Sequence, residues 1–113
     1  MGILQKIFSL FQSNRMEIKE VMPQQALQAL EQNQAVMIDV REPSEVAAAS
    51  YQAPNMLHIP LGNLETQLAS IPKDKPLIMA CRSGARSYRA AGMLLQHGFA
   101  DVVNLSGGIL NWQ

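Results

Sequence analysis

The chain has a single cysteine, Cys81, in 113 residues, so no disulfide can form within it. Its two histidines, His58 and His97, stand far apart in sequence from each other and from that cysteine, which excludes a zinc module and leaves no metal site of the usual spacings. An excess of charge of either sign is also missing. Nine basic residues balance nine acidic ones, which argues against a nucleic-acid partner, because neutralising phosphates needs a sustained surplus of Lys and Arg. The longest charge-free stretch, Val46 to Leu64, is interrupted by Gln52, Pro54, Asn55, His58, Pro60 and Gly62, and reads as several short elements rather than a membrane span. What is present is hydrophobic residues at 48% of the chain. A single domain of this size buries about 65% of its unfolded surface, so a core forms without staples.

Two local features stand out from this even background. Between Asp74 and Asp101 there is no acidic residue, yet Lys75, Arg82, Arg86 and Arg89 all lie there, and so does Cys81. At the other end of the chain, Ile3, Leu4, Ile7, Phe8, Leu10 and Phe11 recur at helical spacing, which predicts an N-terminal amphipathic helix over residues 1–15 ahead of a domain over 16–113. Lys6 and Ser9 break the apolar run a secretory signal needs, and Lys6 stands where a myristoylation motif requires Ser or Thr. Two roles are left for this helix: self-association or packing on its own domain, and contact with a membrane surface. With no clear export signal and a free thiol, a reducing cytoplasm is the expected compartment.

Along the rest of the chain, apolar strand runs alternate with helical patterns. Glu17 to Val21 reads as a short edge strand, Pro23 opens a helix lasting to about Asn33, and Ala35 to Val40 is a buried strand carrying Asp39 near its end. Ser44 is expected to cap a short helix with its own hydroxyl, and Met56 to Ile59 forms the next strand. Leu64, Leu68 and Ile71 mark a helical stripe, and Pro76 to Ala80 is a third apolar strand. A helix from about Ser87 to His97 and a strand over Asp101 to Leu105 follow. Gly107 and Gly108 then open a closing turn that ends at Trp112. Such alternation predicts an α/β fold, a mainly parallel sheet covered by helices on both faces.

In parallel sheets, ligands bind beyond the carboxyl ends of the strands, and Cys81 is the first residue after one. The turn Cys81-Arg82-Ser83-Gly84-Ala85-Arg86-Ser87 contains no proline, so every residue offers a backbone N–H. Gly84 permits the positive φ that lets successive amides curl around an anion. A helix N-terminus pointing at the same place should depress the thiol pKa and favour a thiolate. A lone cysteine is ordinarily a small buried apolar residue, but that role needs neither Arg82 nor Gly84 nor Arg86 beside it.

This loop resembles the active-site loop of single-domain rhodaneses, sulfurtransferases that carry sulfane sulfur on a cysteine. Three further segments are similar to that family in the same order: Ile38-Asp39-Val40-Arg41-Glu42-Pro43-Ser44-Glu45, Ile59-Pro60-Leu61, and Leu105-Ser106-Gly107-Gly108-Ile109-Leu110-Asn111-Trp112. The resemblance spans about Met16 to Trp112. It implies a three-layer sandwich around a five-stranded sheet, with Cys81 as nucleophile and persulfide carrier and Arg82, Ser83, Gly84, Ala85 and Arg86 as the loop whose amides hold the substrate. The chain departs from the family in having Ala49-Ser50 where Gly-His is usual, and in a run from there to Pro60 about two residues longer.

A tyrosine phosphatase loop also sets a cysteine and an arginine around an anion, but with five intervening residues. Cys81 and Arg86 have four between them, a tighter ring suited to one sulfur atom, and no phosphatase-type aspartate motif accompanies it. The expected chemistry is attack of Cys81 on a small anionic sulfur donor such as thiosulfate, drawn in by Arg82 and Arg86, followed by transfer to a thiol or cyanide. A protein could also be the acceptor, and a rhodanese-like module that carries persulfide to a partner with little thiosulfate turnover is the alternative. No metal, nucleotide or flavin is required. Asp39, ending a buried strand, needs a partner; Arg41 and Glu42 are expected to brace the same rim, in a supporting rather than catalytic role.

Overall fold

A computed structural model describes residues 17–112. The predicted N-terminal helix, residues 1–15, lies outside them. Five strands, β1 (Glu20–Val21), β2 (Val36–Asp39), β3 (Met56–His58), β4 (Leu77–Ala80) and β5 (Val102–Leu105), form one sheet in the order β1-β5-β4-β2-β3. Every pairing is parallel. Because side chains alternate across a strand, apolar runs such as Met37-Ile38 and Ile78-Met79 supply both faces at once. On one face Met37, Ile78, Ala80 and Leu105 pack with Ala26 and Leu30 of α1 (Pro23–Glu31). On the other, Ile38, Met79 and Val102 pack with Ala90, Ala91 and Leu94 of α3 (Ala85–Gln96). The result is the three-layer α/β sandwich expected from the alternation.

The strand order explains where the site falls. From β2 the chain runs outward to β3 at one edge, and from β4 it runs outward to β5 on the opposite side. Neighbouring strands whose connections diverge leave a crevice beyond their carboxyl ends. Here those strands are β2 and β4, and their register sets Asp39 beside Ala80, so Val40-Arg41 and Cys81-Arg82 leave the sheet side by side.

Three local expectations are corrected. Helix α2 (Pro43–Ala48) starts one residue earlier than predicted, and its cap is not Ser44. Pro43, with φ preset for a first helical position, lets Glu42 act as the cap, and Glu42 and Glu45 exchange side-chain to backbone hydrogen bonds in a capping box. The helical stripe ending at Ile71 is two 3-10 pieces, Leu61–Asn63 and Glu65–Ser70, bent at Gln67. Finally, α3 begins at Ala85 rather than Ser87, because Gly84 at φ 109° is itself its N-cap. Ala85 and Arg86 therefore belong to the first helical turn.

Candidate active site

Cys81 follows directly on β4, and its residue is 1% exposed. The backbone then turns back through Gly84 so sharply that donors from the turn and from the first turn of α3 meet at one atom. The Gly84 N–H donates to Cys81 Sγ over 3.1 Å, and the Ser87 hydroxyl lies 3.3 Å from the same sulfur. Burial pushes the Cys81 thiol up, but hydrogen bonds from the Ser87 hydroxyl and from the amides of Ser87, Gly84 and Ser83 outweigh it, and the thiol is left below its ordinary value. The helix N-terminus adds its dipole in the same sense. A sulfur anion held this way has the stabilisation that a cysteine nucleophile requires.

The loop residues read from the sequence divide into two groups. Ser83 and Gly84 supply amides to the sulfur. Arg86, placed on the helix, turns its guanidinium to Glu45 of α2 in a two-pronged pair of 2.7 and 2.8 Å, so its charge is already matched. Arg82 is exposed and has no ion-pair partner among the described residues; Ala85 is exposed beside it. Ser87, outside the span expected to line the site, contributes both a hydroxyl and an amide. Its signal in the sequence was its position: one helical turn past the cap, a small hydroxyl side chain can point back along the axis toward the preceding loop.

At the neighbouring strand end, Asp39 and Arg41 are both buried and satisfy each other. Arg41 donates from its backbone N–H, Nε and Nη2 to the two carboxylate oxygens over 2.8–3.2 Å. The Arg41 guanidinium also sits 5.2 Å from the centre of the Tyr51 ring, and Trp112 meets that ring edge-on at 5.3 Å. The Tyr51 hydroxyl donates to the carbonyl of Cys81. Tyr51 was not singled out from the sequence, for it falls in the stretch where the chain departs from the rhodanese pattern and no periodicity marks it.

The loop is held from behind by its carbonyls. The Cys81 oxygen accepts the Ile109 N–H (3.0 Å) as well as the Tyr51 hydroxyl, and the Arg82 oxygen accepts the Leu110 N–H (3.2 Å). The Gly84 oxygen accepts Asn104 Nδ2 at 3.0 Å. Two of these donors come from the closing 3-10 turn, Gly108–Asn111, which can approach so closely only because Gly108 lacks a side chain: a Cβ there would overlap the Arg82 carbonyl and lie 2.6 Å from the Cys81 oxygen. A groove of about 350 Å³ lined by Met22, Pro23, Gln24, Leu27, Asn111 and Trp112 shares no residue with the Cys81 loop. No cluster of His, Cys, Asp or Glu among the described residues could hold a metal.

A buried cysteine at a sheet switch point, met by hydrogen-bond donors beside a helix N-terminus, is an arrangement suited to cysteine-dependent group transfer. Comparison with known proteins narrows that class. The sequence profile of the rhodanese-like domain matches residues 22–113. A sulfurtransferase of Allochromatium vinosum is 40% identical over 77 residues, covering 68% of this chain and 70% of that one. The thiosulfate sulfurtransferase GlpE of Pseudomonas syringae pv. syringae is 36% identical over 97 residues, 86% of this chain and 89% of that one. The crystal structure of a rhodanese-like domain protein from Staphylococcus aureus superposes with a TM-score of 0.75 at 28% identity, covering 85% and 92% of the two chains. The chain belongs to the rhodanese-like domain family and is a rhodanese-type sulfurtransferase.

Proposed function

We propose that this protein moves sulfane sulfur from thiosulfate or a persulfide to a thiol or cyanide, with Cys81 as the nucleophile and sulfur carrier. The observation that carries this reading is the convergence of the Gly84 N–H and the Ser87 hydroxyl on Cys81 Sγ. With thiosulfate, the thiolate attacks the outer sulfur; a new S–S bond forms as the bond to the sulfonate sulfur breaks, and sulfite leaves with the electron pair. The persulfide's terminal sulfur lies among the loop amides, which stabilise its charge. Cyanide or an acceptor thiolate then attacks that terminal sulfur and releases the Cys81 thiolate. Arg82 is the cation available to an incoming donor anion, while Asp39 and Arg41 brace the rim without touching substrate. No helix among the described residues is long and apolar enough to cross a membrane; a reducing cytoplasm suits a reactive lone thiol.

The test is thiocyanate formation from thiosulfate and cyanide. Wild-type protein turns over, and Cys81→Ser falls to the uncatalysed background; equal rates in both would overturn the assignment. One observation favours a second reading, a module that takes sulfur from a persulfide donor and hands it to a protein. Glu45 already neutralises Arg86, which weakens the pull on a dianion such as thiosulfate. Under that reading a low-molecular-weight persulfide loads Cys81 far faster than thiosulfate does.

A further inference from the structure

We propose that Tyr51 is a positioning residue for sulfur transfer: its hydroxyl, with the Ile109 N–H, pins the Cys81 carbonyl behind the loop and thereby aims the loop's amides at the sulfur. The proposal rests on Cys81 being the sulfur-bearing residue. In a trans peptide the C=O and the next N–H point in opposite directions, and the described residues contain no cis peptide. Drawing the Cys81 oxygen rearward therefore turns the Arg82 N–H forward. The same holds one residue on, where the Leu110 N–H draws back the Arg82 oxygen and the Ser83 amide faces the thiol. Hydrogen bonding to a carbonyl also polarises its peptide group, so the N–H on the far side becomes the stronger donor.

Tyr51 is built for that task. It is 6% exposed, gripped by the Trp112 edge on one hand and the Arg41 guanidinium on another, so the hydroxyl has little freedom to leave its acceptor. Burial, then the Asp39 charge, raises the phenol well above its ordinary value, which keeps it a proton donor throughout the working range of pH. The Asp39–Arg41 pair at the end of β2 is thus tied through one ring to the peptide group of the reacting residue. That gives the buried pair a second consequence besides its own satisfaction.

The experiment compares full-length wild type, Tyr51→Phe and Trp112→Leu. Cys81 ionisation is read as the pH midpoint of iodoacetamide alkylation, beside thiosulfate to cyanide kinetics. The charged groups near the thiol, Arg86, Glu45, Arg41 and Asp39, are the same in all three. Tyr51→Phe loses one hydrogen bond and keeps the ring, so the midpoint should rise by about half a pH unit and kcat fall roughly fivefold, with KM for thiosulfate little changed. Trp112→Leu lowers thermal stability and, because the ring keeps its hydroxyl and loses only one of its supports, raises the midpoint by clearly less than Tyr51→Phe does. A wild-type midpoint in Tyr51→Phe, or an equal shift in Trp112→Leu, overturns the proposal. Incorporating 3-fluorotyrosine in a Tyr88→Phe background preserves the shape of the site and makes the phenol a stronger donor; a midpoint moving downward supports the proposal, and an unmoved or raised one contradicts it. Alkylation needs no sulfur donor, so absence of thiosulfate turnover would count against the proposed function and leave this readout intact.

Discussion

Strands β2 and β4 are paired neighbours, four residues each, both apolar, and both end by delivering a polar group into the same crevice. They nevertheless end in opposite chemical states. At the end of β2, the Asp39 carboxylate is met by three donor groups of Arg41, opposite charges closed on each other in a buried ion pair. Past β4, the Cys81 sulfur is met by neutral donors, the amides and hydroxyl of its own loop and helix, and among the described residues by no cation in direct contact. A buried charge matched by a full countercharge is inert and structural, and breaking it leaves an unpaired ion. A sulfur surrounded by dipoles is stabilised as an anion but keeps its lone pairs available, which is the condition for a nucleophile. The difference between scaffold and site therefore lies in what satisfies the polar group rather than in how deeply it is buried.

The comparison can be broken at several points. The largest effect on folding is expected from Arg41→Met, which strands the buried Asp39 carboxylate and should cost about 3–5 kcal/mol in urea unfolding. The partly exposed Arg86→Met should cost no more than about 1 kcal/mol; equal losses would erase the distinction between the closed pair and the outer one. Next comes Gly108→Ala. Gly108 stands at φ 57°, and an added methyl would overlap the backbone of Arg82, so the change should cost roughly 1–3 kcal/mol while lowering sulfur transfer more than stability alone explains. Ser87→Ala removes one donor from the sulfur and should raise the Cys81 alkylation midpoint and slow transfer at neutral pH about fivefold.

The smallest effect concerns acid. Glu45 is held down to about 2 by its hydrogen bonds from Arg86 and from the Glu42 amide, against an ordinary value of 4.5. Its folded-state value lies below the unfolded one, so its contribution is present above about pH 4.5 and is lost as pH falls toward 2. Glu45→Gln keeps the capping geometry and should flatten that part of the acid-unfolding curve without changing its neutral plateau much.

The centre of the sheet was legible because β2 and β4 are short apolar runs bounded by proline, glycine or a polar turn, and Cys81 stood out as a candidate because of its unusual neighbours in sequence. What stayed hidden was contact between distant segments. Nothing within the run Ala49 to Pro60 marks Tyr51 as a partner of a carbonyl 30 residues away. Equally, Arg86 reads as an anion-binding residue of the loop until Gly84 is seen to cap α3, which carries the side chain toward Glu45 of a different helix. Asp39 illustrates the intermediate case: burial at a strand end demanded a partner, and Arg41 two residues later proved to be that partner.

The central claim, that donors gathered on Cys81 make it a carrier of one sulfur atom, is tested most directly by intact and peptide mass spectrometry. Protein exposed to thiosulfate or to a low-molecular-weight persulfide, then freed of small molecules, should gain the mass of one sulfur on the Cys81 peptide and lose it on addition of cyanide. A chain that gains no sulfur from either donor, or a Cys81→Ser variant that gains as much as wild type, would contradict the account.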